Sequence, residues 1–300
     1  MQNDALVTIV AISYNQEKYV LDALNSIKNQ TYKNIQLIIA DDGSTDNTKA
    51  LITNWVAHNW QSAIFINHPQ NQGITKNLNS ALPYIKGEFY QFLGCEDNLL
   101  PQKIELQVTL LTENPSYSIV YSDMYRMDAN GTVEQLTQFQ SKKYNIPYSG
   151  NIYAQLLERC FISTPTALQR TQVLLDLGGD DERLEINDYD YWLRASTKYL
   201  FLYHPDVTVF YRVLASSVSN RKGIFIFKNR FLLYYLNYNS DKKYRHIFNE
   251  KLLFSLKNLF TLKYKFCYKY ALKAFIKTQK IDFIKYFVAS IFFIATNNTD

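Results

Sequence analysis

The chain has 300 residues, 47% apolar and 20% charged, a length and composition that give one large or two ordinary globular domains and no disordered chain. Its formal charge of +5 hides a split: residues 1–220 carry 16 basic and 23 acidic side chains, net −7, and residues 221–300 carry 16 basic and four acidic, net +12. Three scattered cysteines, no zinc spacing, no basic-then-apolar leader and no apolar run near the roughly 20 residues of a membrane span exclude a disulfide scaffold and argue for a reducing cytoplasm.

In chain order, apolar runs alternate with helical patterns. Leu6–Ser13 reads as a strand, Glu17–Asn29 as a helix, Ile35–Ala40 as a strand and Asn47–His58 as a helix, with Asp46 placed to cap it. Ala63–Asn67 is a third strand, Ile74–Tyr84 an amphipathic helix, Glu88–Leu93 a fourth strand, Gln102–Glu113 a helix after Pro101 and Tyr117–Met124 a fifth strand. Such alternation predicts an α/β fold with a mainly parallel sheet and right-handed crossovers. The pattern then loosens, with Asn130-Gly131 as a hairpin turn, before a helix at Tyr189–Lys198 and a strand at Val207–Arg212. Residues 221–300 read as helices at Ile224–Asn237, Lys243–Lys263, Lys265–Lys277 and Phe283–Ala295.

Chemistry concentrates at strand ends. The second strand stops at Asp41-Asp42-Gly43-Ser44, the fourth at Gly94-Cys95-Glu96-Asp97, and a third acidic group, Asp188-Tyr189-Asp190, opens a helix. Open α/β sheets bind ligands at the carboxyl ends of their strands, and two acidic ends on one edge suit a divalent cation that also takes substrate phosphates. Taken singly, Asp41 and Asp42 are equally read as a turn and cap, and Asp188 as a helix start favoured by acids. No glycine fingerprint follows the first strand, and no phosphate loop is present. Cys95 reads as a small filler between acids, and the four histidines show no ligand spacing.

These residues, in this order, resemble the family 2 inverting glycosyltransferases. The similarity runs through Val7–Val10, Tyr14-Asn15, Ser26–Tyr32, Asp41–Asp46, Asn71–Ile74 with Asn77, Gly94–Asp97 with Pro101, Asp188–Arg194 and Tyr211-Arg212. The resemblance implies a GT-A fold, a Rossmann-like α/β/α sandwich over residues 1–220, with a nucleotide-sugar half to about 125, an acceptor half from 126, and a helical extension at 221–300. It further implies that Tyr14, Asn15, Asp41 or Asp42, Asn77, Glu96, Asp97 and Arg212 bind a nucleotide diphosphate sugar. Asp97 would ligate Mn²⁺ or Mg²⁺, with Glu96 as a second candidate, and Asp188 would be the general base on an acceptor hydroxyl.

Three positions depart from the family pattern. Gly94 stands where an acid is common, Asn187 where an acid often precedes the base, and Leu214 where a histidine is common. Asp97 and Asp188 remain, so the chain reads as an active transferase. The rivals are a nucleotidyltransferase, which would need a glycine-rich basic loop where Tyr14-Asn15-Gln16-Glu17 stands, and a non-catalytic glycan-binding or scaffold protein, motivated by Gly94.

The tail holds 20 of the 43 tyrosines and phenylalanines beside its 16 cations. Basic, aromatic amphipathic helices suit an anionic membrane surface; a helical appendage with solvated lysines is the alternative, and no motif suggests nucleic acid. The whole reads as a cytoplasmic, membrane-peripheral transferase acting on a glycan or lipid-linked acceptor in capsule or lipopolysaccharide synthesis.

Overall fold

A computed structural model of the chain describes residues 5–141, 148–185, 188–215, 222–239 and 241–297. The chain divides into two compact units, Met1–Leu214 and Ala215–Asp300. The boundary expected at 220/221 lies outside the described residues, and so does Asn187.

The first unit runs β1 (Val7–Ser13), α1 (Val20–Lys28), β2 (Ile35–Asp41), α2 (Thr48–Asn59), β3 (Ile64–Asn67), α3 (Ile74–Asn79), β4 (Phe89–Gly94), β5 (Asn98–Leu99), α4 (Lys103–Glu113) and β6 (Ile119–Met127). It continues through β7 (Val133–Thr137), α5 (Gln138–Ser141), α6 (Tyr153–Glu158), β8 (Leu168–Arg170), α7 (Thr171–Leu177), α8 (Asp188–Ser196) and β9 (Phe201–Arg212). The strands form one sheet in the order β3-β2-β1-β4-β8-β6-β9-β5, with β7 added to β6. Parallel pairing of β3, β2, β1 and β4, and of β6 with β9, together with the antiparallel β8 between β4 and β6, points six strands the same way. The expected mainly parallel sheet is therefore present, with short antiparallel strands β5, β7 and β8 added to it.

All seven residues of β1 are buried, as an apolar run covered on both faces requires. Helix α1 buries Val20, Ala23, Leu24 and Ile27, the spacing of one helical face, and α4 buries Ile104, Val108 and Leu111. Three departures from expectation have local causes. Helix α1 starts at Val20 rather than Glu17 because residues 17–19 form a separate turn, the Tyr19 and Val20 N–H groups both donating to the Gln16 carbonyl. Helix α3 ends at Asn79 and resumes as a 3₁₀ turn at Leu82–Tyr84, where Pro83 has no N–H to continue the α ladder. Strand β9 starts at Phe201, six residues early: Ser122 pairs with His204 but Asp123 with Val207, so Pro205-Asp206 is accommodated in a bulge.

The second unit contains α9 (Ile224–Leu236), α10 (Lys242–Thr261), α11 (Cys267–Thr278) and α12 (Ile281–Asn297). Asp241 caps α10 by accepting the Lys243 N–H at 2.9 Å. Its aromatic content packs internally through Phe231–Tyr270, Tyr234–Phe248 and Phe260–Tyr286 edge-to-face pairs. Among the described residues no helix is long and apolar enough to cross a membrane.

Candidate active site

Strand register collects the acidic ends. Ser13 pairs with Asp41 and Ile12 with Gly94, so the carboxyl ends of β1, β2 and β4 lie side by side. Arg212 ends β9, a strand of the same direction, and reaches that edge.

Past β1 the chain turns through Asn15 at φ +53°, a left-handed conformation that asparagine tolerates. The Asn15 Oδ1 accepts the Thr45 N–H at 2.8 Å and the Asn15 N–H donates to the Ser44 Oγ at 2.8 Å, so the β1 and β2 loops are zipped together. Tyr14, just before, stands 42% exposed beside them.

The two aspartates have different work. Asp41 is buried, and its carboxylate accepts the Ser13 hydroxyl (2.8 Å), the Ser44 N–H (2.9 Å) and the Ser44 hydroxyl (2.6 Å). Asp42 accepts one N–H on each oxygen, from Gln72 (2.8 Å) and Gly73 (2.9 Å), and each oxygen keeps a second lone pair. That loop reaches Asp42 because Gly43, at φ +72°, lets the Gln70 backbone lie where a Cβ would come within 2.6 Å of it. Asp46 bonds the N–H groups of Thr48 and Glu17; burial pushes its carboxyl up, and the hydrogen bonds from the Thr48 side chain and these N–H groups together outweigh it and hold the carboxyl below its ordinary value.

Asn77, buried on α3, donates to the Ala40 carbonyl at 3.0 Å, while its Oδ1 takes no hydrogen bond from the described residues. At β4 the chain makes a tight turn, the Asp97 N–H donating to the Gly94 carbonyl at 3.0 Å. The Arg212 N–H donates to the Asp97 Oδ1 (2.7 Å), and the Arg212 Nε donates to the Glu96 carbonyl (2.9 Å). The guanidinium also bonds the Asp128 carbonyl at 3.1 Å and lies 4.5 Å from the Tyr19 ring centroid. Burial raises the Glu96 carboxyl, offset in part by its own N–H and the Arg212 charge. Burial raises Asp97 well above the carboxylate range, and the Glu96 charge pushes it further, against the Arg212 N–H and charge. A half-buried Glu96 and a buried Asp97 beside one guanidinium are short of positive charge, which a cation would supply. Among the described residues no three His, Cys, Asp or Glu side chains converge, so the chain offers a carboxylate pair, which fits a hard divalent cation completed by substrate phosphates and water.

Asp188 opens α8, its Oδ1 accepting the Tyr189 N–H at 2.7 Å, and burial raises its pKa. The preceding segment is moored to α3: the Thr75 hydroxyl donates to the Leu184 carbonyl (2.9 Å), and the Asn79 side chain pairs with both backbone groups of Asp180. Helix α8 ends four residues before β9 begins, and among the described residues no hydrogen bond or ion pair ties the Asp188 side chain to Asp42, Asn77, Glu96, Asp97 or Arg212. The buried Cys95 thiol is pushed well up by burial and by the Glu96, Asp41 and Asp97 charges, which suits filler and not a nucleophile.

The structure thus joins Asn15 to the β2 loop, Asp42 to the 72–73 loop, Asn77 to the end of β2, and Glu96, Asp97 and Arg212 to one another. Sequence reasoning missed Gln16, whose Nε2 donates to the Glu96 Oε2 at 3.3 Å, and Tyr19 beneath Arg212. Their only sequence signal is their place in the loop after β1.

The family model described as glycosyl transferase family 2 matches residues 8–178. The chain is similar to the Escherichia coli UDP-Glc:alpha-D-GlcNAc-diphosphoundecaprenol beta-1,3-glucosyltransferase WfgD, with 29% identity over 56% of this chain and 62% of that protein. Three curated relatives, uncharacterized glycosyltransferases of Methanocaldococcus jannaschii, Rickettsia typhi and Rickettsia prowazekii, are matched over 60 to 66% of their length, and three further Rickettsia relatives over 18 to 31%, so the chain spans at most about two thirds of these relatives. Among solved structures, Staphylococcus aureus TarS 1–349 in complex with UDP-GlcNAc aligns over 96% of this chain and 80% of its own, with TM-score 0.63 and 19% identity. Mannosyltransferase PcManGT from Pyrobaculum calidifontis, in complex with GDP-Man and Mn²⁺, aligns over 97% and 85%, with TM-score 0.61 and 14% identity. At those identities the likeness shows the fold, which is of the GT-A type.

Proposed function

The chain belongs to glycosyl transferase family 2, and from that premise we propose that it moves a sugar from a nucleoside diphosphate donor to a hydroxyl of a glycan or lipid-linked acceptor, with inversion. The observation that carries the reading is the convergence of Asp42, Asn77, Glu96-Asp97 and Arg212 on the carboxyl edge of one sheet.

Each residue then has a task suited to its surroundings. Tyr14 offers an exposed ring to the nucleobase, with Asn15 fixing the turn that presents it. Asp42, with lone pairs to spare, and the unpartnered Asn77 Oδ1 accept hydrogen bonds from the base or ribose, while Asp41 braces the loop. Asp97 and Glu96 hold Mn²⁺ or Mg²⁺, which when bound offsets charge on the donor's diphosphate. The Arg212 charge, fixed beside Glu96-Asp97 by its carbonyl bonds, would steady the departing diphosphate. Asp188 takes the proton of the acceptor hydroxyl as that oxygen bonds the anomeric carbon and the bond to the diphosphate oxygen breaks. One displacement from the opposite face inverts the centre.

The acceptor reading rests on a lipid-linked substrate in the name of WfgD and on the cationic second unit, which suits the inner face of a cytoplasmic membrane where surface glycans such as capsule or lipopolysaccharide are assembled. To test the core of the proposal, nucleotide sugars are screened for binding with and without Mn²⁺, and the bound donor is then used to assay Asp188→Asn. Transfer is expected to fall about 10²–10⁴-fold with donor affinity nearly unchanged. Near-wild-type turnover in Asp188→Asn, or no nucleotide-sugar binding by the native chain, overturns it.

A further inference from the structure

Gly94 closes β4 without a left-handed backbone, so nothing in its φ demands glycine. Its surroundings do. An ideal Cβ at residue 94 would lie 2.8 Å from the Glu96 Oε2, 3.0 Å from its Cδ and 3.1 Å from its Oε1. The Glu96 carboxylate has folded back over the bare Cα of Gly94 and fills the volume a side chain there would occupy. Three contacts keep the turn and the carboxylate in that place: the Asp97 N–H on the Gly94 carbonyl, the Arg212 Nε on the Glu96 carbonyl, and the Gln16 Nε2 on the Glu96 Oε2. Beside it, the Asp97 Oδ1 takes the Arg212 N–H, and its Oδ2 takes no hydrogen bond from the described residues.

We propose that Gly94 is the seat of the Glu96 carboxylate, the positioning residue whose bare Cα holds Glu96 where it would reach, beside Asp97, the divalent cation of the donor-binding reading. The acid borne by residue 96 thereby serves from the space of residue 94. This rests on the donor-binding reading above and assigns within it a residue pair that acts as one unit.

The seat can be tested without disturbing the fold, because the atoms an added Cβ would meet belong to the end of a flexible side chain. The full chain is titrated with Mn²⁺ in the presence of UDP or GDP, whichever it binds, and free Mn²⁺ is read by electron paramagnetic resonance. Gly94→Ala, which keeps every carboxylate, and Glu96→Ala are each expected to weaken Mn²⁺ binding by about tenfold or more. The double variant Gly94→Asp with Glu96→Ala, which returns a carboxylate to the same space from residue 94, is expected to recover most of that loss. Wild-type Mn²⁺ affinity in Gly94→Ala, or a double variant no better than Glu96→Ala alone, overturns the seat. Native protein that binds nucleotide equally in Mn²⁺ and in chelator overturns the cation role while leaving donor binding intact. Native protein that binds no nucleotide overturns the donor site itself.

Discussion

The Asp188 carboxyl carries the sharpest residue-scale consequence. Burial holds its pKa above the ordinary carboxylate value, and a general base works only when deprotonated. Transfer should therefore rise with pH through that raised pKa, with the acid limb of kcat/KM displaced upward from the range of a solvent-exposed aspartate. An acid limb at the ordinary carboxylate pKa would remove Asp188 from the base role. Asp41 and Asp42 make the complementary point. They are adjacent in sequence and chemically identical, yet Asp41 takes two hydroxyls and an N–H from its own and the neighbouring strand end, and Asp42 takes two N–H groups and keeps a free lone pair on each oxygen. The Asp42 donors come from a loop far along the chain, so a strand-end acid pair was legible while its division of labour was not.

At the scale of elements, the interior joint between β4, α4 and the Thr164–Thr166 turn is polar. The buried Lys103 Nζ on α4 donates to the Gln91 Oε1 of β4 at 2.7 Å and to the Gln107 Oε1. Gln107 and Gln91 in turn donate to the Thr166 and Pro165 carbonyls, at 2.8 and 3.1 Å. A neutral amine has two N–H donors, and two glutamine oxygens receive them. Burial with no carboxylate partner pushes the Lys103 pKa well down. In the unfolded chain the amine titrates near 10.4, so between the lowered folded value and about 10.4 the unfolded state binds the extra proton. Folding stability gains there as pH rises, by up to about 1.4 kcal/mol per pH unit from this one group. Lys103→Met removes that slope: relative to wild type its stability should be highest at neutral pH and decline as pH climbs toward the ordinary lysine value. Parallel stability–pH curves for the two proteins would contradict a neutral buried amine. The lysine itself was visible in the sequence only as part of a helix, since burial of one flank of α4 by a distant 3₁₀ turn has no local signature.

For the whole molecule, the charge split has a structural counterpart in the second unit. Along α11 and α12, Ile276, Ile281 and Phe292 are 66, 69 and 70% exposed, among exposed Lys269, Lys273, Lys277, Lys280 and Lys285. Apolar side chains set among cations suit an anionic lipid surface, each cation contributing about 1 kcal/mol. The full chain should co-sediment with phosphatidylglycerol vesicles at low salt and not with phosphatidylcholine alone. Replacing Lys269, Lys273 and Lys277 by glutamine should cost about 3 kcal/mol, roughly a hundredfold in partitioning. Retention of the native chain in the supernatant over anionic vesicles would count against this surface. By itself the sequence determined the α/β alternation, the mainly parallel sheet, the four tail helices and the family. These follow from periodicity and turn chemistry, which are local: the seven buried residues of β1 and the one-faced apolar spacing of α1 can be read without knowing their neighbours. The reach of β9 through the bulge at Pro205, the sharing of donors between Asp41 and Asp42, the clasp of Arg212 on Glu96-Asp97, and the folding of Glu96 over Gly94 were decided only by the tertiary structure. Each depends on which strand ends the sheet sets side by side, and that order is a property of long-range pairing rather than of any local run of residues.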